Sequence, residues 1–453
     1  MTPNPSSRRL TRGRAAVAAL LLTAGLSACG HSPIRPKKAP PTPTMGNREP
    51  ILSRIESAAT PDSDLSSVAV VVPLQRLNEE WVQPGGNAGK SYGNLTLSAQ
   101  PKKLWEARIA GSSERRRLAS APVVGGGLLY AYDTNGVLHA MDAATGAEKW
   151  THSFTVGGSL SEVVFGGGAS YDKGVLYVTS GVGEVAALDA KTGAQKWKVK
   201  PAGPLRGSPT VAFGSVFVMT QSNGIFALNA ADGVLQWQES ASVGITSVFG
   251  VAAPAAGQGS VVAGFSTGEL IAYRYENGRT LWNDALSRTS LSTSVGALTD
   301  IDADPIIDNG RVYALGQGGR MAAYDLFTGM RIWELNLAGI STPAIAGEWI
   351  FTLTDEAKLL CIARSTGKVR WVAQLARYKN VKKKEGMIYW TGPVLAGDRL
   401  WVTNSQGEVH MISAMDGVDA KYGEVSAPVS LAPIVANGIM YILDDSGRIT
   451  AFK

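Results

Sequence analysis

A turn motif that recurs seven times is the feature that most constrains the fold of this chain. Its fullest form is Asp-x-x-Thr-Gly-x-x-x-Trp, as at Asp142, Thr145, Gly146 and Trp150. The motif glycines are spaced by roughly 40 to 50 residues, which is typical of propeller blades and too long for short helical repeats. We therefore predict that each unit forms one four-stranded sheet. The motif glycines are Gly146, Gly193, Gly233, Gly278, Gly329, Gly367 and Gly417.

Within each unit, apolar runs of about five residues alternate with Gly, Asn or Asp turns, a pattern that indicates antiparallel hairpins. In the third run of each unit, one position holds a small residue in most units and the next position holds a large apolar residue. Adjacent strand residues face opposite sides of a sheet, so the pattern predicts closely stacked blades. Eight rows share it, which predicts eight blades. The small-residue column is Ala140, Ala187, Ala227, Ala272, Ala323, Cys361, Met411 and Ala451.

The eighth row has no fourth strand after it, because the chain stops at Lys453. Residues 104–108 carry their own tryptophan and are predicted to supply that strand from the other end of the chain. The predicted fold is therefore all-β, an eight-bladed β-propeller with four antiparallel strands per blade, whose last blade is closed by an N-terminal strand. Such a ring has no free sheet edge at its seam. We expect the motif tryptophans to dock blade on blade: Trp105, Trp150, Trp197, Trp237, Trp282, Trp333 and Trp371.

The amino terminus predicts export. Four arginines precede an apolar stretch of roughly a dozen residues, too short to span a bilayer but typical of a signal peptide. Leu26-Ser27-Ala28-Cys29 resembles the bacterial lipobox, which implies a lipid on Cys29, and the following Gly30 favours the outer membrane. The alternative is an ordinary signal peptide with a chance cysteine. We expect a signal peptide at 1–28, a lipidated cysteine and proline-rich linker at 29–45, an N-terminal extension at 46–102 and the propeller at 103–453.

The charge balance argues against nucleic-acid binding. The formal charge of +6 falls to +2 when the four arginines of the leader are removed, so little of the basic character belongs to the body of the protein. Two basic clusters remain, at 115–117 and 377–384. Both precede first strands, so we expect them on loops between blades. Such clusters are most often solvated, with an acidic partner or lipid headgroups as the alternative.

The sequence offers no catalytic or cofactor site. Cys361 is the single cysteine besides Cys29 and occupies the small-residue column, where a packing role is expected. His139 and His410 hold equivalent strand positions in two units, which is expected of ordinary strand histidines. His-Glu-x-x-His and phosphate-loop motifs do not occur. We therefore predict no enzyme activity, no cofactor and no metal.

The repeat motif resembles that of pyrroloquinoline quinone dehydrogenases, which are eight-bladed propellers. That resemblance concerns architecture, since those enzymes hold the quinone beside a vicinal cysteine pair that this chain lacks. A quinone-dependent dehydrogenase-like protein is nevertheless kept as one alternative function. A structural lipoprotein with another partner is a second.

Together with the lipobox, the chain more closely resembles the BamB family, lipoprotein propellers of the β-barrel assembly machinery. The most specific stretch is 297–305, which is similar to the family pattern Leu-Ser/Thr-Asp-x-Asp-x-x-Pro and contains Asp300 and Asp302. The resemblance implies that these residues contact the barrel-inserting subunit BamA. It implies the same for a second loop, where Val248 and Phe249 stand and Phe249 replaces the family's arginine. It further implies a scaffold on the periplasmic face of the outer membrane that works with other assembly lipoproteins and unfolded outer-membrane proteins.

Residues alone leave two points open. Asp300, Asp302 and Asp304 could bind a cation or cap a turn, and turn-capping is the commonest role of such residues. The apolar residues at 243–251 could form an interaction surface or pack back on the propeller.

Overall fold

The computed structural model describes residues 58–154, 166–242, 252–286 and 299–453. Within these ranges the strands form eight four-stranded antiparallel sheets and one two-stranded sheet. The prediction of an all-β, eight-bladed propeller is confirmed. A single 3-10 turn, Ser63–Leu65, precedes the ring, and no helix in these ranges is long and apolar enough to cross a bilayer.

The first four blades follow one another along the chain. Blade 1 contains β2 to β5, blade 2 contains β6 to β9, blade 3 contains β10 to β13 and blade 4 contains β14 to β17. Their bounds, with those of the N-terminal strand β1, are β1 Lys103–Arg108, β2 Val123–Gly125, β3 Leu128–Tyr132, β4 Val137–Asp142, β5 Glu148–Ser153, β6 Gly167–Asp172, β7 Val175–Ser180, β8 Val185–Asp189, β9 Gln195–Val199, β10 Thr210–Ala212, β11 Ser215–Met219, β12 Gly224–Asn229, β13 Leu235–Ser240, β14 Ala255–Gly257, β15 Ser260–Gly264, β16 Glu269–Arg274 and β17 Thr280–Ala285.

The second half contains blade 5 (β18 to β21), blade 6 (β22 to β25), a separate hairpin (β26 and β27), blade 7 (β28 to β31) and blade 8 (β32 to β34 with β1). Their bounds are β18 Ile306–Asp308, β19 Arg311–Gly316, β20 Arg320–Asp325, β21 Arg331–Leu335, β22 Ala344–Ala346, β23 Trp349–Leu353, β24 Lys358–Ala363, β25 Val369–Gln374, β26 Tyr378–Asn380, β27 Glu385–Met387, β28 Trp390–Ala396, β29 Arg399–Asn404, β30 Glu408–Ser413, β31 Asp419–Glu424, β32 Ile434–Ala436, β33 Ile439–Leu443 and β34 Arg448–Phe452.

The alternating strand directions give the ring two distinct ends. First strands of successive blades lie against one another, as β2 and β6 do, so they surround the axis. Because neighbouring strands are antiparallel, the connections between blades lie at the same end as the hairpin that joins second and third strands; we call this end the loop face. The opposite end, the turn face, carries the first hairpins and the Asp-x-x-Thr-Gly turns.

Each motif tryptophan packs on the motif glycine of the next blade. The indole N–H of Trp105 donates to the Ala143 carbonyl at 3.1 Å, and its ring covers Gly146, where a Cβ would lie 2.5 Å from a ring carbon. Gly146 also has a φ of +73°, so both its conformation and its neighbour require glycine. The equivalent indole bonds join Trp150 to Ala190, Trp197 to Ala230, Trp237 to Tyr275, Trp282 to Leu326, Trp333 to Arg364 and Trp371 to Ala414.

On its own sheet the tryptophan lies opposite the small-residue column. Trp150 pairs with Ala140, Trp371 pairs with Cys361, and Trp105 pairs with Ala451 across the seam. A small residue at the paired position leaves room for the indole to lean towards the next blade. Cys361 is fully buried there, and burial raises the pKa of its thiol far above the ordinary range.

The N-terminal strand β1 closes blade 8, as predicted. It pairs antiparallel with β34, and beyond the strand Lys102 and Lys453 exchange main-chain hydrogen bonds of 2.6 and 2.8 Å. An ion pair of 2.9 Å between Arg448 and Glu106 also crosses the seam. The two ends of the propeller therefore meet within one sheet.

The junction between blades 7 and 8 is the exception to the tryptophan rule, because Lys421 stands at the motif position. Tyr422 occupies this junction instead. Its ring lies 6.0 Å from that of Phe452 in blade 8, and its hydroxyl donates to the carbonyl of Pro101, just ahead of β1. A different aromatic residue thus packs at the junction that has no motif glycine to receive a tryptophan.

The extension before β1 docks on the ring. Trp81 exchanges main-chain hydrogen bonds with Val124 in blade 1, and Leu95 does so with the Leu395–Gly397 region of blade 7. Further hydrogen bonds join Val82 to Tyr171 in blade 2, Gln83 to Val211 in blade 3, Ala88 to Ala256 in blade 4, Gly89 to Ile307 in blade 5, Asp62 to Val369 in blade 6 and Asn78 to Asn437 in blade 8.

Most of these contacts are made to first strands near their hairpins, so the extension lies across the axis at the turn face. Trp81, Tyr92, Leu95 and Leu97 of the extension are buried against the ring, and the Trp81 and Tyr92 rings are 4.9 Å apart. The extension therefore adds apolar core to the ring and hydrogen-bonds to all eight blades.

We expect Trp105→Ala to lower the free energy of unfolding by about 3 to 5 kcal/mol, because it removes a buried indole and a hydrogen bond at the seam. Denaturant titration followed by circular dichroism measures the effect. Leu104→Ala is the matched control, since Leu104 is 46% exposed on the same strand and should change stability by less than about 0.5 kcal/mol. Equal effects of the two variants would contradict the docking role of Trp105.

Trp81→Ala should also lower the free energy of unfolding by about 3 to 5 kcal/mol, although its residue lies outside the repeats. Hydrogen exchange should show faster exchange at Val124, whose N–H donates to Trp81. Leu74→Ala, at a side chain that is 94% exposed on the same extension, is the control. An unchanged unfolding transition in Trp81→Ala would mean that the extension contributes nothing to the stability of the ring.

Candidate partner-binding face

The segment that carries the two predicted partner-binding aspartates leads into β18 on the loop face. Its residues are fixed to the neighbouring blades by main-chain bonds. Ile301 donates to the Phe265 carbonyl at 3.2 Å, and the Asp300 carbonyl accepts from Gln317 at 2.9 Å. Ile301 also packs on Gly264, where a Cβ would lie 2.3 Å from its side chain. The segment is thus a packed part of the ring rather than a free loop.

Asp302 pairs with an arginine from another blade connection. The Arg206 guanidinium lies 3.0 Å from the Asp302 carboxylate, and the two side chains are 1% and 9% exposed. Arg206 also donates to the Gly264 carbonyl at 3.4 Å. The ion pair therefore joins the segment before blade 3 to the segment before blade 5.

Burial dominates the electrostatics of this pair. Desolvation, together with the smaller effect of the nearby Asp300, raises the pKa of Asp302 to about 6 against the opposing effect of Arg206. Desolvation likewise lowers the pKa of Arg206 against the attraction of Asp302 and Asp300. Both shifts show that the two charges are costly to bury, so each depends on the other being present.

Asp300 is fully buried. As the ring stands, a partner that docks on the loop face meets the surface of the segment rather than the Asp300 carboxylate. The predicted partner contacts of Asp300 and Asp302 stay predictions, and the ion pair with Arg206 gives the Asp302 side chain a structural role in this face.

Asp304 caps a neighbouring main chain. Its carboxylate accepts from the Ala253 N–H at 2.7 Å, and its own N–H donates to the Thr342 hydroxyl at 3.0 Å. The bond joins two blade connections 51 positions apart, so it differs from the local turn cap that the sequence offered as an alternative. Desolvation raises the pKa of Asp304, and the attraction of Lys90 opposes the shift.

Lys90 brings the extension into the same network. It is 1% exposed, its ammonium lies 3.4 Å from the Thr210 hydroxyl, and desolvation lowers its pKa to about 8 while Asp304 raises it. Neither Lys90 nor Arg206 was predicted from the sequence, because each stands outside any repeat column. The glycines around Lys90 were the one available signal of a segment that packs closely.

Three predicted site residues fall outside the described residues: Val248 and Phe249 in the second loop, and Cys29. Within the described ranges, no group of three His, Cys, Asp or Glu side chains is arranged to hold a metal ion. His139 instead lies between Asp133 and Glu148, at 3.2 and 3.0 Å. Both carboxylates raise the pKa of His139, although burial alone would lower it.

The second basic cluster is not the simple loop that was expected. Residues 378–380 and 385–387 pair as β26 and β27, a two-stranded sheet that stands apart from the blades on the loop face.

Comparison with known proteins identifies relatives across most of the ring. A family model described as outer membrane protein assembly factor BamB matches residues 95–159 and 155–373. The protein of that name from Yersinia pestis is 26% identical over 357 residues, which are 78% of this chain and 88% of the relative. The Vibrio cholerae protein of the same name is 29% identical over 350 residues, covering 77% of this chain and 88% of the relative.

A solved structure, BamB from Moraxella catarrhalis, covers 78% of this chain and 99% of its own, with a TM-score of 0.65 and 21% identity. At that identity the likeness concerns the fold alone. The family match begins at residue 95, so most of the docked extension precedes it.

We expect Arg206→Ala to lower the free energy of unfolding by about 3 to 5 kcal/mol, because it leaves Asp302 buried without its cation. Denaturant titration at neutral pH measures this loss. Lys198→Ala is the control: Lys198 lies 3.1 Å from Glu184 but is 42% exposed, and such surface pairs contribute about 0 to 1 kcal/mol. Similar losses in both variants would contradict a structural role for the buried pair.

Proposed function

The chain belongs to the outer membrane protein assembly factor BamB family, and we propose that it is a scaffold that holds the barrel-inserting subunit BamA through its loop face. It is an assembly factor rather than an enzyme. The observation that carries the proposal is the segment before β18, which has the family pattern and is fixed in place by blades 3 to 6. A surface held this firmly presents a partner with a preformed shape, which lowers the cost of ordering on binding.

The proposed contact surface is the segment at 299–305 together with the neighbouring connection at 336–343. Thr342 in that connection bonds to Asp304, and Ile340 nearby is 50% exposed. Apolar side chains exposed beside a fixed polar segment are typical of interface cores. Val248 and Phe249 are proposed to belong to the same surface by family resemblance.

The membrane attachment is also a proposal. We infer that residues 1–28 are removed, that Cys29 carries lipid in the outer membrane, and that residues 29–45 separate the anchor from the extension at 46–102 and the propeller at 103–453. The protein would then stand on the periplasmic face, beside BamA and the other assembly lipoproteins.

Unfolded outer-membrane proteins are proposed as clients. The fourth strands are the most exposed of each blade, as in β5 and β13, and their outer edges could pair with an extended client strand. Such pairing needs no movement of the ring.

The quinone-dependent alternative finds less support. Quinohemoprotein alcohol dehydrogenase from Comamonas testosteroni has a TM-score of 0.65 to this chain at 14% identity, covering 83% of this chain and 80% of its own, which is a likeness of fold. In this chain Lys90 is buried beside Thr210 of β10 and Arg206 is buried beside Asp302. The described residues provide no group of three His, Cys, Asp or Glu side chains for the metal ion that such a quinone requires. The residues present do not fit that cofactor.

We expect Ile340→Asp to reduce recovery of BamA at least about tenfold when the tagged chain is purified from detergent-solubilised outer membranes, because a charge enters the apolar part of the contact. Met330→Asp is the matched control. Met330 is 67% exposed on the turn face of blade 5, so its substitution should leave recovery unchanged.

Asp302→Ala, compared at equal amounts of folded protein, tests the aspartate separately. Full recovery of BamA with both Ile340→Asp and Asp302→Ala would show that the loop face is not the contact surface. Loss of BamA with Met330→Asp alone would place the contact on the turn face.

A further inference from the structure

The two-stranded sheet between blades 6 and 7 is unexplained by the propeller fold. We call residues 377–389 the basic hairpin. Its strands pair only with each other, and a two-stranded sheet alone has marginal stability in water. Its base is fixed to the ring, since the Trp390 indole donates to the Ala376 carbonyl at 2.8 Å and Tyr389 exchanges bonds with Ser405. The rest of the hairpin projects from the loop face.

The projecting part combines positive charge with exposed apolar groups. Lys379, Lys382, Lys383 and Lys384 are all exposed, and Glu385 is the one acidic residue in the segment. Among these lysines Val381 is 73% exposed, and nearer the base Tyr389 is 65% exposed. An apolar apex ringed by lysines, with a tyrosine behind it, is the pattern of segments that sit in the headgroup region of a membrane.

The hairpin follows the strand whose start contacts the first described residues. The first described residues lie beside blade 6, where Asp62 donates to the Val369 carbonyl at 2.8 Å and Lys368 lies 3.3 Å from Asp62. Val369 begins β25, and the basic hairpin follows the end of that strand. Asp62 and the hairpin are therefore separated by about 20 Å, one strand length.

We infer that the basic hairpin is a second membrane contact, in which the lysines bind anionic phospholipid headgroups and Val381 lies among them. The inference rests on the proposed lipid anchor, which would hold the hairpin near the bilayer and raise its effective concentration there. The valine at the apex favours a lipid surface over an acidic protein, since a partner bound by charge alone would make no apolar contact with Val381.

The test uses the mature chain with Cys29→Ser, so that binding does not depend on the lipid. Sedimentation with vesicles of phosphatidylethanolamine and phosphatidylglycerol at low salt should show binding, and vesicles without phosphatidylglycerol should show little. The triple variant Lys382→Gln, Lys383→Gln, Lys384→Gln should reduce the partition coefficient at least about tenfold, since each lysine near an anionic surface contributes a several-fold factor.

The matched control is Arg115→Gln, Arg116→Gln, Arg117→Gln, which removes the same charge from another blade connection on the loop face. It should bind nearly as the parent does. Equal losses from the two triple variants would mean that binding follows net charge, and the proposal would be overturned. Unchanged vesicle binding by the lysine variant, with less BamA recovered from membranes, would overturn it in favour of an acidic protein partner.

A second measurement follows the apex directly. Val381→Cys can be labelled selectively with an environment-sensitive fluorophore, because Cys361 is fully buried. Anionic vesicles should shift its emission to the blue, whereas a label at Val418→Cys, a valine 63% exposed on the turn face, should not shift. No shift at position 381 would exclude insertion of the apex. Because the vesicles contain no assembly subunit, neither result depends on whether the chain binds BamA.

Discussion

The docking of a tryptophan on the glycine of the next blade is the interaction on which the architecture depends. Each indole satisfies its N–H at a carbonyl beside the receiving turn and covers a glycine that no other residue could replace without a clash. The contact fixes the distance and the angle between adjacent sheets. Repeated around the ring, it sets the curvature that brings β34 back to β1.

The one junction that lacks this contact follows from how the ring closes. A tryptophan at position 421 would need a motif turn in blade 8 to receive it. Blade 8 has no such turn, because its third and fourth strands are the two ends of the propeller, joined at Lys102 and Lys453. Tyr422 packs there on Phe452 instead. The absence of a tryptophan at position 421 is thus a consequence of where the two ends of the propeller meet.

The repeating blades were predictable from the sequence, and the contacts that occur only once in the structure were not. Strand order, blade number and the closing strand followed from the repeat positions that Ala140 and Trp150 represent. The same residue types recur there in successive units, so each unit is independent evidence for the same local geometry. The extension has no period, and it binds the ring through isolated contacts such as Gln83 to Val211. Asp302 lay in a recognisable pattern, yet its burial against Arg206 depends on a residue 96 positions away, which no local pattern reports.

The extension and β1 come early in the chain but contact strands that come late. Glu106 and Arg448 are 342 positions apart, and Asn78 reaches the main chain of Val435 across 357 positions. Contacts of such long range close the largest loops the chain can form, and they are the slowest to be made. Synthesis from the amino terminus therefore supplies partners for the extension blade by blade, and its contacts with blades 7 and 8 are the last to form. Until the last blade has emerged, the nascent protein is an open arc of stacked sheets that needs protection from aggregation at both of its uncapped ends.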